Sequence, residues 1–281
     1  MPEIDLKKVK PIITEALTED IGSGDITTEY LVGIDEYGEA TISVKEPCVI
    51  AGLPVAQAIF YEIDHSLKID ILAREGEFLF SGEIMKIAGR AANILIAERT
   101  VLNFLQRTSG VATITNAFVK KVEKYGTAIM DTRKTTPTLR YLEKYAVAVG
   151  GGINHRMGLF DAVLIKENHS AIAKRKGIDF LKQKMIALKK KSDTQIIIEV
   201  HSLDEIDDVL CLNPHVILFD NFCVNEVKKA VAKIGRQVLT EASGNITLEN
   251  VEEFAQTGVD RLSIGRLTHS YKSIDMSLEI H

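Results

Sequence analysis

The chain has little cysteine, no long apolar run, no low-complexity tract and no glycine-rich dinucleotide fingerprint, and each absence narrows what it can be. Cys48, Cys211 and Cys223 are odd in number and form no CxxC pair, which argues against a disulfide framework or a zinc site and leaves free thiols. No apolar stretch approaches a membrane span, and the opening MPEIDLKKVK is charged where a signal peptide would be apolar. A cytoplasmic protein without a membrane partner is expected. A composition of 46% hydrophobic and 26% charged residues, free of low-complexity tracts, argues against disorder. No GxGxxG follows an apolar run, which weighs against an open doubly wound sheet. The net charge of -5 gives no general attraction to nucleic acid or anionic membrane, so basic chemistry must be local. The strongly basic stretch KRKGIDFLKQKMIALKKK carries an apolar stripe without interleaved aromatics and reads as a solvated helix face, so no nucleic-acid partner is expected.

What is present is a repeat. AIMDTRK, AVLIKEN, IIIEVHS, VILFDNF, VLTEASG and RLSIGR each read as a strand buried on both faces that empties into a polar loop. Between them, Leu181, Met185 and Leu188 share one helical face, as do Val227, Ala230, Val231 and Ile234, and then Leu248, Val251, Phe254 and Ala255. Ser202 with Glu205 fits a capping box, and Gly235 and Gly258 stand where helices stop. Glu199, Asp220, Glu241 and Ser263 recur every 21 or 22 residues, the length of a strand-helix unit. The pattern predicts an α/β chain whose residues 111–270 form an incomplete, TIM-like βα barrel. Residues 1–110 predict an α+β sandwich domain, with a helix over 91–105 and alternating strands in ATISVKEPCVIAG and LKIDILAREGEFLFSGEIMKIAG. A last strand within 271–281 is expected to join it.

Barrels carry their reacting groups on the loops after the strands. Here those positions hold Arg133 and Lys134, then Lys166, Glu199, Asp220, Glu241 with Ser243, and the stretch through Gly265 and His269. The plainer reading of the first two cations is a structural pair held by Asp131 or the neighbouring threonines. In GGGINHR, glycines let a backbone approach a ligand, and Arg156 beside His155 can grip a carboxylate with two donors. Lys166 is an anion ligand or, held neutral, a Schiff-base nucleophile. Glu199 and Asp220 on consecutive strands offer the hard oxygens that suit Mg2+. Ser243, Gly244 and Asn245 are read as phosphate donors at a helix N-terminus. EDIGSGD by itself is a turn-rich loop. Each feature has a plainer reading as a cap, a turn or a neutralised charge. Their accumulation favours a cationic and acidic pocket for small, phosphorylated anions.

EDIGSGDITT, ERTVLNFLQRTSGVAT, DTRKTTPTLR, KYAVAVGGGINHRMGLFDAVLIKENH, FDNF, EASGNIT and TGVDRLSIGRLTHS together resemble the nicotinate-nucleotide pyrophosphorylase family, also called quinolinate phosphoribosyltransferase. The resemblance runs in order from about residue 14 to the end. It implies that quinolinate and phosphoribosyl pyrophosphate react with Mg2+ to give nicotinate mononucleotide, carbon dioxide and pyrophosphate in NAD biosynthesis. By the same match, Arg133, His155, Arg156 and Lys166 receive the dicarboxylate, and Arg99 reaches the site from a partner subunit in a homodimer with shared sites, further assembly being left open. Lys134 stands near the phosphoribosyl donor, Glu199 and Asp220 hold metal and ribose hydroxyls, and Ser243, Gly244 and Gly265, with His269 beside them, form the 5'-phosphate site. The resemblance also places Lys134, Lys166, Glu199 and Asp220 as the catalytic group.

Three positions depart from the family pattern. Thr138 replaces a usual glycine, Ala148 replaces a basic residue found in many members, and His201 stands where acidic or polar residues are common. Altered loop detail is expected, with no essential group lost. The rival readings are a molybdenum-transport-associated paralogue of the same fold, a Schiff-base lyase using Lys166, and a non-enzymatic phosphate-ligand module. Asn154 and Lys166 favour the quinolinate enzyme over the first, and the Glu199 and Asp220 pair has no purpose in the last.

Overall fold

The computed structural model describes residues 2–33, 35–169, 178–191 and 194–281. Packing divides the chain into two compact units, one made of 1–116, 135–152 and 267–281, the other of 117–134 and 153–266. Among the described residues no helix is long and apolar enough to cross a membrane.

The first unit begins with α1 (Leu6–Ile21), capped by the Asp5 carboxylate on the Lys7 N–H at 3.1 Å. Its buried residues Val9, Ile13 and Leu17 repeat every fourth position and so form one stripe. Two tight left-handed glycines, Gly22 and Gly24, then lead into Asp25, whose side chain caps α2 (Ile26–Leu31). The EDIGSGD turn is thus a helix stop followed by a helix start. The sheet is antiparallel, in the order β12 (Met276–Ile280), β1 (Tyr37–Val44), β5 (Gly82–Arg90), β3 (Lys68–Ile71). A two-strand ribbon, β2 (Cys48–Val49) with β4 (Phe78–Leu79), and the helices α3 (Leu53–Ile63) and α5 (Arg140–Val149) complete the unit. Its core joins Val9 and Ile13 to Ile42, Ile59, Phe60 and Met85, all buried.

The helix expected over 91–105 is longer: α4 runs Ala91–Val122. Its polar middle does not break it, because Thr108 Oγ1 donates back to Phe104 O at 2.7 Å and Thr115 Oγ1 to Val111 O at 2.8 Å. Gly110 is there for clearance, since a Cβ would stand 2.3 Å from Lys272 O.

The six apolar runs are the six strands of the second unit: β6 (Ala128–Met130), β7 (Val163–Ile165), β8 (Ile196–Val200), β9 (Val216–Asp220), β10 (Leu239–Ser243) and β11 (Arg261–Ser263). All pair in parallel, in the order β6-β11-β10-β9-β8-β7. The first strand beside the last is what barrel closure requires. The opening falls between β6 and β7, where Ile153 makes a single parallel bridge to Met130. β8 is buried at every position, consistent with a parallel strand covered on both faces. Connecting helices include α6 (Ile178–Lys191), α7 (Glu205–Leu210), α8 (Val224–Ile234) and α9 (Val251–Ala255), with α10 (Arg266–His269) after β11. Of the basic stretch, residues 174–177 and the Leu181 side chain lie outside the described residues.

Several expectations need correction. The Ser202 and Glu205 box does not form as expected: α7 starts at Glu205, whose carboxylate takes the His201 N–H at 2.8 Å. Two of the three glycines in the triple glycine make room for neighbouring protein groups. A Cβ on Gly150 would meet Ala112 O at 2.4 Å, and one on Gly152 would meet Thr115 and Val147 at 2.8 Å. Ser243–Asn245 is not a helix N-terminus, because α9 begins only at Val251. Gly235 does end α8, with φ 61 and its N–H on Val231 O.

Candidate active site

Strand register explains why the charged groups converge. Glu199 pairs with Leu218 and Leu218 with Glu241, so these three stand level across β8, β9 and β10. Asp220, Ser243 and Ser263 stand level one pleat further on. Residues two apart on a strand share a face, and level residues of paired parallel strands share it too. Glu199, Asp220, Glu241, Ser243 and Ser263 therefore face one side at the C-terminal ends of the strands. They line a cavity of about 300 Å³ together with Thr132, Arg133, Lys134, His155, Arg156 and Lys166. A larger cleft of about 950 Å³ at the opposite strand ends, with Asn213, His215 and Thr240, does not gather such a set.

Lys166 emerges just after β7 and reaches Glu199, Nζ to Oε2 2.6 Å. The Glu199 side chain is only 6% exposed while that of Lys166 is 50% exposed, so the carboxylate is the buried member and the ammonium its link to solvent. His201, two residues beyond Glu199, directs Nε2 to Glu199 Oε1 at 3.5 Å and Nδ1 to Asp220 Oδ2 at 3.8 Å. The donor atoms of Glu199, His201 and Asp220 lie within 4.8 Å of one another, a set able to hold a metal ion.

Across the cavity, Asp131 is fully buried and accepts the His155 N–H at 2.8 Å, which pins the chain behind the triple glycine. The Arg156 guanidinium donates to Ala162 O at 3.2 Å. Burial holds the pKa of Arg156 below its usual value, and the nearby positive charge of Arg133 adds to the effect. Two guanidiniums facing one space favour an anion between them. Glu241 is fully buried; its Oε1 accepts from Ser263 Oγ and stands 3.4 Å from His155 Nε2, while Oε2 has no hydrogen-bond partner among the described residues.

The sequence-predicted residues Arg133, Lys134, His155, Arg156, Lys166, Glu199, Asp220 and Ser243 are brought together in this one cavity. Gly244 follows Ser243 with φ 100, between Asn221 and Asn245 in similar left-handed backbone (φ 58 and 54). Gly265 directly precedes α10. Arg99, on an exposed face of α4, and the exposed His269, with Nδ1 2.7 Å from Ser270 Oγ, belong to the first unit and are not among the cavity's lining residues. Glu241 had no assigned role in the sequence reading; its place two residues before Ser243 on one strand was the available signal.

The chain matches the quinolinate phosphoribosyl transferase N-terminal domain over residues 25–109 and the C-terminal domain over 111–279. The chain belongs to the quinolinate phosphoribosyl transferase family. A Nicotiana tabacum quinolinate phosphoribosyltransferase [decarboxylating] is 41% identical over 296 residues, spanning 99% of this chain and 83% of that protein. The solved nicotinate-nucleotide pyrophosphorylase of Francisella tularensis superposes with a TM-score of 0.91 at 37% identity, covering 99% of this chain and 98% of that one. That of Ehrlichia chaffeensis gives 0.91 at 36% identity, covering 100% of both. Against the family pattern, Thr138 keeps the turn a glycine would make: Leu139 N bonds Thr136 O at 3.2 Å around Pro137, and Thr138 takes φ 68. This is the arrangement of a type II turn. Ala148 lies in the last turn of α5, where it leaves no basic group.

Proposed function

We propose that this chain converts quinolinate and phosphoribosyl pyrophosphate to nicotinate mononucleotide, carbon dioxide and pyrophosphate, with Mg2+, in NAD biosynthesis. One observation carries the reading: in a chain of this family, a single cavity at the strand ends gathers the cations Arg133, Lys134, Arg156 and Lys166 with the carboxylates Glu199 and Asp220. That is the charge pattern a dicarboxylate and a sugar phosphate require together.

Arg133, Arg156 and Lys166 receive the two carboxylates, with His155 beside them, and orient the ring nitrogen toward the sugar. Lys134 faces the phosphoribosyl donor. Glu199 and Asp220 stabilise positive charge as the anomeric carbon–oxygen bond breaks and the electron pair leaves with pyrophosphate. The ring nitrogen then donates its lone pair to that carbon. The bond to the adjacent carboxyl breaks next, its pair drawn toward the cationic ring nitrogen until a proton replaces carbon dioxide. Ser243, Gly244 and Gly265 hold the 5'-phosphate, with His269 nearby. A divalent cation on Glu199 and Asp220 would neutralise the departing pyrophosphate. Arg99, exposed on α4, is offered to a second copy in a homodimer. The hydrogen bond from the Lys166 ammonium to Glu199 disfavours the Schiff-base reading, which borohydride trapping with a carbonyl substrate would test.

The purified chain is expected to release carbon dioxide and pyrophosphate only when quinolinate, phosphoribosyl pyrophosphate and Mg2+ are all present. Absence of turnover under those conditions sinks the proposal.

A further inference from the structure

We infer that His201 turns the cation site of this chain into a mixed oxygen and nitrogen site, in which Glu199, His201 and Asp220 bind a transition-metal dication such as Mn2+ in preference to Mg2+. The inference concerns the site of the proposed activity and rests on that proposal only for the use made of the metal.

The geometry comes from the sheet. Glu199 pairs with Leu218 and Val200 with Phe219, so continuing the register sets His201 level with Asp220 at the ends of β8 and β9. Glu199 and His201 share a strand face by their two-residue spacing, and Asp220 shares that face through Leu218. The imidazole thus stands between the carboxylates, Nε2 3.5 Å from Glu199 Oε1 and Nδ1 3.8 Å from Asp220 Oδ2. Lys166 occupies the other Glu199 oxygen, Oε2, at 2.6 Å, so the oxygen on the His201 side is the one left for a cation. The chain has 39 acidic residues and seven histidines. Among the described residues, no other three His, Cys, Asp or Glu bring their donor atoms this close, so the convergence does not reflect mere density of charge. The His201 side chain is 35% exposed, which leaves it reachable by a hydrated ion.

Donor chemistry then selects the metal. Mg2+ demands oxygen ligands in a near-ideal octahedron and gives up its waters reluctantly. An imidazole nitrogen adds little for Mg2+ but favours Mn2+ and the later dications, whose affinity for nitrogen rises along the series. Two carboxylates balance a dication's charge, and three protein donors leave positions open for substrate oxygens.

The test uses Mn2+ alone, without substrates, titrated into the full chain. Free Mn2+ is followed by electron paramagnetic resonance, and nitrogen coordination by 14N modulation of the bound ion's spin echo. The unaltered chain is expected to bind Mn2+ with 14N coupling and to release it only to a large excess of Mg2+. His201→Ala should lose the coupling and bind at least ~10-fold more weakly, within the range by which removing supporting groups weakens metal sites. His201→Asp should bind without coupling and shift the Mn2+ over Mg2+ preference toward Mg2+ by at least tenfold. Unfolding midpoints of both variants show that they are folded. No Mn2+ binding, binding without 14N coupling in the unaltered chain, or unchanged affinity in His201→Ala overturns the inference. Quinolinate-dependent turnover, assayed on the same preparations, reports separately on the proposed function.

Discussion

Replacing Thr138 by glycine should make the protein more stable. Thr138 is the third residue of the Thr136–Leu139 turn and has φ 68, a conformation that costs a side-chain-bearing residue ~1–2 kcal/mol and is especially awkward for a β-branched one. Little opposes the change. Thr138 is exposed, and among the described residues its hydroxyl bonds only the adjacent Pro137 O at 2.6 Å, a contact water replaces. Glycine's extra freedom in the unfolded chain takes back about 0.5–1 kcal/mol. The balance is a gain of roughly 0.5–1 kcal/mol, or an increase in melting temperature of about 1–4 °C for a domain of this size class. Differential scanning calorimetry on the two proteins, supported by urea midpoints at unchanged slope, measures it. Thr138→Ala keeps the strained backbone and should gain less than glycine. A Thr138→Gly melting temperature equal to or below that of the parent would refute the reasoning, because the left-handed turn would then carry no strain to relieve.

Gly244→Ala should act in the opposite direction. At φ 100 the new Cβ would stand 2.1 Å from Asn221 Oδ1 and 3.1 Å from its Cα, so stability should fall by ~1–3 kcal/mol and KM for the phosphoribosyl donor should rise more than KM for quinolinate. Steady-state kinetics with each substrate varied would expose an unaltered rim. In thiol titration, the exposed Cys211 and Cys223 should react in the native protein, while fully buried Cys48, whose thiol burial pushes up to about 11, should react only after unfolding. Rapid labelling of Cys48 in the native state would contradict the packing of β2. If sites are shared between subunits, mixing inactive Arg99→Ala with inactive Lys166→Ala chains should recover part of the activity. No recovery despite demonstrated subunit exchange would remove Arg99 from the proposed site.

Much of this protein was legible without coordinates. Apolar runs such as IIIEV and VILFD announce buried parallel strands because both faces need covering, and their polar ends mark where the chain leaves the sheet. Local rules also marked Gly235 as a helix stop, whereas at Thr138 the sequence showed only a departure from the family pattern and the left-handed turn came from the structure. What sequence could not settle depended on groups distant along the chain. The glycines at 150 and 152 look like a ligand-binding loop until Ala112 and Thr115 are seen to occupy the space a Cβ would need. Glu241 looks like another strand-end carboxylate until Ser263 and His155 close around it in a fully buried position.

The sequence by itself determined the strands, the spacing of Glu199, Asp220 and Glu241, and the cations Arg133, Lys134 and Lys166 after the first two of those strands, because periodicity and turn chemistry are local properties. Tertiary structure alone decided which of them meet. Pairing register set Glu199 level with Glu241 and moved Asp220 one pleat outward toward His201, and a shift of one residue in any pairing would have turned those side chains to the other face.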